Sequence, residues 1–264
     1  MIQILGNITL PDVLYKYRDW SLEFHRAILK EKIAFFSSPA DFNDPFDCKI
    51  PIRYDIKPEK QLEDIYFNVI KAVYKNYSDG EIRAFAKKQV SNGIIDPKLF
   101  KKNDKEYFDN LAKRMGVFST SKYNDDILMW GHYANSHKGF CLGLSTNELM
   151  KSKDIDFIGQ VNYSPDFPVI IPNGNSEDLF EKQIFSKWDK WSYEGEYRLT
   201  KNHIQDRKIE LPSSCYKEII FGYQMDKKDQ NEIKEIVLEK FPTIEMYQAE
   251  ASASKFMIKI KRIN

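Results

Sequence analysis

Short segments in which apolar and polar residues alternate recur along the chain, and turn-forming residues separate them. A period of two places successive side chains on opposite faces of a strand, so each segment can bury one face. The first is Val13-Leu-Tyr-Lys-Tyr-Arg18, and such segments dominate the C-terminal third of the chain. The predicted strands span residues 13–18, 33–38, 115–121, 138–144, 155–163, 192–200, 208–211, 216–222, 243–248 and 255–261.

Apolar residues at helical spacing fill most of the remaining segments. A short amphipathic helix follows Ser21, which is the expected N-cap, and Asp125 or Asp126 is expected to cap another. Further helices are predicted at residues 177–188 and 227–241. Residues 58–114 carry two or three helices, broken near residues 78–80 and 92–93, which we interpret as an insertion. It is either a lid or a plain helical layer beside the β core, and together these elements predict a single α+β domain over residues 1–264.

Composition and charge narrow the class of protein. With 264 residues, of which 42% are hydrophobic, the chain can bury a sizeable core. Its 40 basic and 39 acidic residues nearly cancel, which argues against nucleic acid or an anionic membrane as the main partner. Cys48, Cys141 and Cys215 lack C-x-x-C spacing and are read as reduced thiols. No apolar run is long enough to span a membrane, so we expect a soluble, cytoplasmic protein.

Two carboxylates, Glu194 and Glu196, lie in an aromatic-rich segment that runs from Trp188 to Leu199. On a β-strand, residues two apart point to the same face, and such a pair is costly unless a cation meets it. Arg198 projects on that same face and could simply neutralise Glu196. The pair is therefore either a functional site or a local ion-paired face of the strand.

Several common catalytic motifs are missing from the sequence. The histidines have no metal-ligand spacing, and the chain contains no G-x-S-x-G, Walker loop or G-x-G-x-x-G. A zinc site, a hydrolase triad, a P-loop enzyme and a Rossmann oxidoreductase are therefore unsupported.

Three separated pieces remain: Arg18 ends the first strand, Ser119-Thr-Ser121 ends a middle strand, and Glu194-x-Glu196 lies in a late one. This order resembles the mono-ADP-ribosyltransferases. The resemblance implies a split, mixed or antiparallel β core and NAD as the cofactor. It also implies that Arg18 contacts the phosphates and that the serine motif braces the nicotinamide pocket. The gap of about 100 residues between the first two pieces is longer than usual for that family, and the helical insertion would account for it.

The expected chemistry suits these residue types. Cleavage of the bond between nicotinamide and ribose develops positive charge on the sugar, which a carboxylate beside the ribose stabilises. Glu196 is the candidate for that role, and Glu194 is expected to orient the attacking group. The guanidinium fork of Arg18 suits a pyrophosphate, to which it can donate two parallel hydrogen bonds. Ser37 and Ser38 compete with the later serines for the same role, and the sequence does not choose between them. The full set of candidate NAD-binding residues is Tyr17, Arg18, Ser37, Ser38, Ser119, Ser121, His132 and Tyr193.

Five blocks are spread over the chain: residues 14–18, 36–47, 129–134, 137–140, and 187–188 with 193–198. Together they are similar to the signature of a bacterial family of unknown function, DUF2971. Members of that family are often associated with phage defence and mobile elements, which implies an effector or toxin. Its partners would be a protein or nucleic-acid acceptor and an antitoxin or phage protein; with water as acceptor it would be a NAD glycohydrolase.

Two alternatives stay open. The first is a metal-dependent nuclease or hydrolase whose carboxylates Asp44, Asp47, Glu194 and Glu196 converge on a divalent ion. The second is a non-enzymatic sensor or interaction module, which predicts no deep pocket around the two glutamates.

Overall fold

The structure, a computed structural model, describes residues 2–6, 8–53, 59–91, 97–170 and 176–263. The strands in this part of the chain are β1 Gln3–Leu5, β2 Val13–Arg18, β3 Ile33–Phe35, β4 Gly116–Ser121, β5 Phe140–Ser145, β6 Phe157–Gln160, β7 Asn162–Ser164, β8 Ser186–Trp188, β9 Glu196–Lys201, β10 Lys208–Glu210, β11 Tyr216–Phe221, β12 Glu245–Ala251 and β13 Ile258–Arg262. The helices are α1 Glu23–Lys30, α2 Glu59–Val73, α3 Asp79–Gln89, α4 Pro97–Arg114, α5 Ile127–Tyr133, α6 Thr146–Leu149, α7 Ser176–Ile184 and α8 Lys227–Lys240.

A nine-stranded mixed sheet, ordered β1-β6-β9-β4-β2-β5-β11-β12-β13, forms the centre of the fold. Its neighbours pair antiparallel except for the parallel pairs β1–β6 and β11–β12. The α+β class is therefore confirmed. The nine strands form one continuous sheet where the sequence predicted a split core. However, β2 and β4 are paired only at Tyr15 and Ser121, whereas β2 pairs with β5 along its whole length.

The apolar faces of the strands explain the layers on either side of the sheet. One face packs against α1 and α8, and its core includes Leu14, Phe118, Leu142 and Leu199, each at most 1% exposed. The other face is covered in part by α5, and its core includes Tyr17, Trp130, Cys141 and Ile220. Burying a large apolar side chain contributes about 1.5–3 kcal/mol, so these two layers fix the sheet between the helices.

The predicted helical insertion consists of α2, α3 and α4. The break near residues 78–80 is confirmed, because Ser78 and Glu81 form a reciprocal capping box at the start of α3. The break near residues 92–93 lies outside the described residues. Phe67, Ile82 and Ala86 form a small cluster of their own between α2 and α3. This pair of helices is thus held together by a core distinct from that of the sheet.

The segment that carries the two glutamates differs from its predicted single strand. Residues Asp189–Glu194 form a 3-10 helix, Gly195 adopts a left-handed conformation with φ of 48°, and β9 begins only at Glu196. The left-handed residue ends the helix and re-aims the chain, as glycine commonly does after a helix. Glu194 and Glu196 therefore lie on different elements, and strand alternation does not explain why they face each other.

Other predicted boundaries also change. The helix predicted at residues 177–188 ends at Ile184, because the following residues form β8, which pairs in parallel with β7. The strand predicted at 155–163 is interrupted at Val161, whose amide donates to the Glu196 carbonyl. Ser21 is not the N-cap of α1, which begins after Leu22. Asp126 does cap α5, since its side chain accepts from two backbone amides.

Candidate functional site

The three sequence pieces meet at the centre of the sheet, on the adjacent strands β9, β4 and β2. In the antiparallel pair β4–β9, Ser121 is opposite Glu196 and Ser119 is opposite Arg198. The end of β4 therefore meets the beginning of β9. Ser37 also comes alongside, because its backbone bridges Val117 of β4. Ser37 therefore lies beside the strand that carries Ser119 and Ser121.

A cavity of about 570 Å³ opens between these strands, within the usual range for small-molecule sites. Eight of the ten predicted site residues line it: Tyr17, Arg18, Ser37, Ser119, Ser121, His132, Glu194 and Glu196. The other two are near but do not form its wall in the described part of the chain. Ser38 donates to the Ala112 carbonyl, and Tyr193 packs between His132 and Trp191. Whether the lining residues bind a ligand stays a prediction.

The floor of the cavity is a buried ionic cluster in which Lys187 faces three carboxylates. Its ammonium lies 2.6 Å from Glu194, 3.2 Å from Glu196 and 3.5 Å from Asp47. Arg198, fully buried, holds both oxygens of Glu196 at 2.8 and 3.0 Å and one oxygen of Asp47 at 2.8 Å. Charge-assisted bonds of this kind compensate the desolvation of buried charges. The suggestion that Arg198 neutralises Glu196 therefore agrees with the geometry.

The pKa values of the two glutamates are shifted in opposite directions. Burial alone would raise the pKa of Glu196, but Arg198 and Lys187 outweigh burial and lower it. Burial raises the pKa of Glu194 in spite of Lys187, and the charge of Glu196 adds to the increase. Tyr133 supplies the other polar contact to Glu194, with its hydroxyl donating at 2.6 Å. Carboxyls whose environments push their pKa values apart are a common arrangement for acid–base chemistry.

The opposite wall of the cavity is cationic. Lys16 and Arg18 point from one face of β2, and neither forms an ion pair with a carboxylate of the described residues. Lys16 donates to the Ser119 carbonyl and lies 4.7 Å from the Phe118 ring. Burial lowers the pKa of Arg18 to about 10, and burial followed by the charge of Arg18 lowers the pKa of His25 to about 4. His25 is therefore neutral at pH 7.

The serine motif braces the glutamates. Ser121 donates to the carbonyl of Glu194 at 2.6 Å and accepts from the amide of Tyr123. Thr120 donates to the carbonyl of Tyr197 at 2.8 Å. These bonds fix the turn at Gly195 against the end of β4.

The four carboxylates of the proposed metal site, Asp44, Asp47, Glu194 and Glu196, do not surround a common empty position. Asp47, Glu194 and Glu196 converge, but the point where they meet is occupied by the Lys187 ammonium. Asp44 accepts from the amide of Phe46 and lines a second cavity of about 560 Å³ instead. Within the described ranges, no group of three or more His, Cys, Asp or Glu residues is arranged to hold a metal ion.

Sequence reasoning did not assign Lys187 or Tyr133 to the site, and Lys187 fell within a predicted helix. Asp47 was named as a carboxylate of the metal-site alternative, and it does converge with Glu194 and Glu196. A usable signal did exist, since a buried carboxylate pair needs cations and both Lys187 and Arg198 are near it in sequence. Asp47 is about 150 residues away from Arg198, so no local pattern could connect them.

Comparison with known proteins adds one finding. Residues 129–199 match the model of DUF2971, a family of proteins of unknown function. The match supports the resemblance to this family over a segment that contains Tyr133, Lys187, Glu194, Glu196 and Arg198. No curated protein matches the chain, and no solved structure does. The resemblance to mono-ADP-ribosyltransferases thus rests on the motifs alone. Among the described residues, no helix is both long and apolar enough to cross a membrane.

Proposed function

We propose that the cavity binds NAD and that the protein cleaves the bond between nicotinamide and ribose, as an ADP-ribosyltransferase or a NAD glycohydrolase. The observation that carries the proposal is the charge pattern of one cavity. The guanidinium of Arg18, which has no ion-pair partner among the described residues, lies on one wall, and the carboxylates Glu194 and Glu196 lie on the floor.

The residues of the cavity suit the parts of such a ligand. An uncompensated guanidinium is a good partner for a pyrophosphate, because its fork can donate two parallel hydrogen bonds. Lys16 lies beside it on the same strand face, where burial and the charge of Arg18 lower the pKa of its ammonium well below the ordinary value. His132 and Tyr133 line the part of the cavity near Glu194, where a flat nicotinamide ring could lie. Tyr17 is less suited to stacking on a ligand, because its ring already packs edge-on against Trp130.

The reaction follows from the two glutamates. When the C1′–N bond breaks, its electron pair leaves with nicotinamide and positive charge develops on the ribose. Glu196 stays ionised because its pKa is lowered, and can therefore stabilise that charge. The attacking group forms the new bond to C1′ and gives its proton to Glu194. With water as the attacking group the product is free ADP-ribose, and with a macromolecule it is a modified acceptor.

The proposal includes a role in bacterial defence or toxicity. Hydrolysis of NAD or modification of a macromolecule would arrest growth, and the matched segment supports the resemblance to DUF2971 on which this role rests. Induced expression in bacteria, with NAD measured in the cell extract, tests this part. We expect NAD to fall or growth to stop with the wild type, and neither to happen with the Arg18→Gln variant.

Binding can be tested separately from turnover by calorimetric titration of NAD into the purified protein. We expect Arg18→Gln to weaken binding at least about tenfold, because it removes a charged hydrogen-bond partner. Arg83→Gln is the matched control. Arg83 is exposed on α3, and the described lining of the cavity includes no residue of that helix. Equal affinity for NAD in the two variants would contradict the assignment of Arg18.

A further inference from the structure

Lys187 occupies an unusual position, between the two glutamates. Its ammonium donates hydrogen bonds to Glu194 and Glu196 and lies 3.5 Å from an oxygen of Asp47. Its side chain is only 6% exposed, and its ammonium also lies 5.1 Å from the centre of the Trp191 ring. The parallel pairing of β8 with β7 fixes the backbone from which this side chain projects.

The two glutamates do not share their cations equally. Glu196 is held by Lys187 and, through both of its oxygens, by Arg198. Glu194 has Lys187 as its one cationic hydrogen-bond partner in the described part of the chain, and the neutral hydroxyl of Tyr133 as its other. A carboxyl with fewer cationic partners is the easier one to protonate.

The net charge of the cluster reinforces this asymmetry. Asp47, Glu194 and Glu196 contribute three negative charges, and Lys187 and Arg198 contribute two positive charges. A buried excess charge is costly and is commonly relieved by proton uptake. Other titratable groups face the cluster from neighbouring elements: Lys16 from β2, Cys48 beside Arg198, His132 and Tyr133 from α5, Tyr163 from β7 and Tyr193 from the 3-10 helix.

We propose that Lys187 is a positioning residue: together with Arg198 it holds Glu196 as a permanent carboxylate, and by itself it orients Glu194 as the carboxyl that takes up and releases a proton. The part that this proton plays in the reaction rests on the proposed function, whereas the assignment of the proton to Glu194 is independent of it. In the reaction, the attacking group passes its proton to Glu194, which later releases it to solvent. The Lys187 ammonium keeps its three protons throughout.

The location of the proton can be measured without NAD, by ¹³C NMR titration of the side-chain carboxyls in protein labelled at glutamate. We expect one carboxyl to titrate above the ordinary value of 4.5 and to be absent from the spectrum of Glu194→Gln. In Lys187→Met this carboxyl should titrate higher by about one pH unit or more, because the cation is lost. Lys187→Arg should keep it near the wild-type value.

Tyr133→Phe provides a second route if Lys187→Met does not fold. It keeps every charge of the cluster and removes only the hydroxyl that donates to Glu194, so the same carboxyl should again titrate higher. An ordinary pKa for Glu194, or a pKa that none of these variants changes, would overturn the inference.

Failure of this inference and failure of the proposed function give different results. If Glu194 titrates as expected and no nicotinamide is ever released, the proton is correctly located and the NAD reaction is wrong. If nicotinamide is released and Lys187→Met leaves the acidic limb of the pH–rate profile where it was, the reaction stands and the role of Lys187 is wrong.

Discussion

At the residue scale, the structure separates charges that stabilise the fold from a charge that does not. Arg198 and Lys187 are buried with carboxylate partners, whereas Arg18 is half-buried in the cavity wall with no ion pair to a described carboxylate. A charge of the second kind costs stability in the absence of a ligand. Residues kept at such a cost are common in binding sites, where stability is sacrificed for function.

Arg18→Gln is therefore expected to leave the free energy of unfolding unchanged or to increase it. Burial lowers the pKa of Arg18, which means that the folded state disfavours its charge, and the substitution removes that penalty. Denaturant titration of wild type and variant at pH 7 measures the difference. A loss of more than about 1 kcal/mol would indicate that Arg18 has a structural role.

Glu196→Gln should behave in the opposite way. The substitution removes one carboxylate partner from each of Arg198 and Lys187, and breaking a buried ion pair costs about 3–5 kcal/mol. Because Glu196 is only 4% exposed, a loss of activity in this variant could not be separated from a loss of stability. Glu194→Gln should be less destabilising, because it breaks one contact with Lys187 and none with Arg198.

The pH dependence of this difference has a definite sign. Because the folded-state pKa of Glu196 is lowered, its contribution to stability is present above the ordinary value of 4.5 and is lost as the pH falls towards the lowered pKa. The stability gap between wild type and Glu196→Gln should therefore narrow below pH 4.5. A gap that is constant from pH 7 to pH 3 would contradict the assignment of Glu196 as a paired carboxylate.

At the element scale, the turn at Gly195 is what brings the glutamates together. Gly195 joins a 3-10 helix to β9 with a positive φ, and a Cβ there would lie 2.6 Å from the Tyr123 ring. Neither the backbone conformation nor the space admits a side chain without movement.

Gly195→Ala is accordingly expected to destabilise the protein by about 1–3 kcal/mol and to reduce the proposed NAD cleavage. Gly131→Ala is the matched control, since Gly131 lies inside α5 near Tyr133 and a Cβ there would meet no atom within 4 Å. Alanine in a helix is favoured over glycine by up to about 1 kcal/mol, so this variant should be as stable as wild type or more so. Thermal denaturation and nicotinamide release, measured on both variants, distinguish the two cases.

At the scale of the whole molecule, α2 and α3 have a core of their own, whereas Leu111 of α4 packs with Val117 of β4 in the core of the sheet. Phe67, Ile82 and Ala86 pack between α2 and α3, and the described lining of the cavity includes no residue from α2, α3 or α4. Ile82→Ala should cost about 2–5 kcal/mol locally. Hydrogen exchange should rise in residues 59–91 and stay unchanged in β2, β4 and β9. Faster exchange throughout the sheet would show that the two cores unfold together.

The parts of the fold that local pattern determines were predictable. The alternation of residues 13–18 gave β2 its bounds, and Ser78 and Asp126 cap helices where sequence rules place caps. The sequence placed Arg18, Ser121 and Glu196 on three strands without an order, and in the sheet these strands are neighbours.

Long-range contacts account for what the sequence did not predict. The pairing of Arg198 with Asp47 joins residues 151 positions apart. Strand β8 exists because β7 pairs with it, although residues 186–188 continue a helical pattern. A single left-handed glycine moved Glu194 off the strand. The site could therefore be listed residue by residue from the motifs, while the ionic cluster that organises it required the tertiary structure.

Release of nicotinamide from NAD tests directly whether the protein cleaves the bond between nicotinamide and ribose. Purified protein is incubated with NAD, alone and with bacterial lysate, and nicotinamide is followed by ¹H NMR, with Arg18→Gln as the folded control. We predict nicotinamide above the background of spontaneous hydrolysis for wild type, and a loss of at least about tenfold for the variant. The proposed NAD cleavage would be contradicted if folded wild-type protein released no nicotinamide under either condition and bound no NAD by calorimetry.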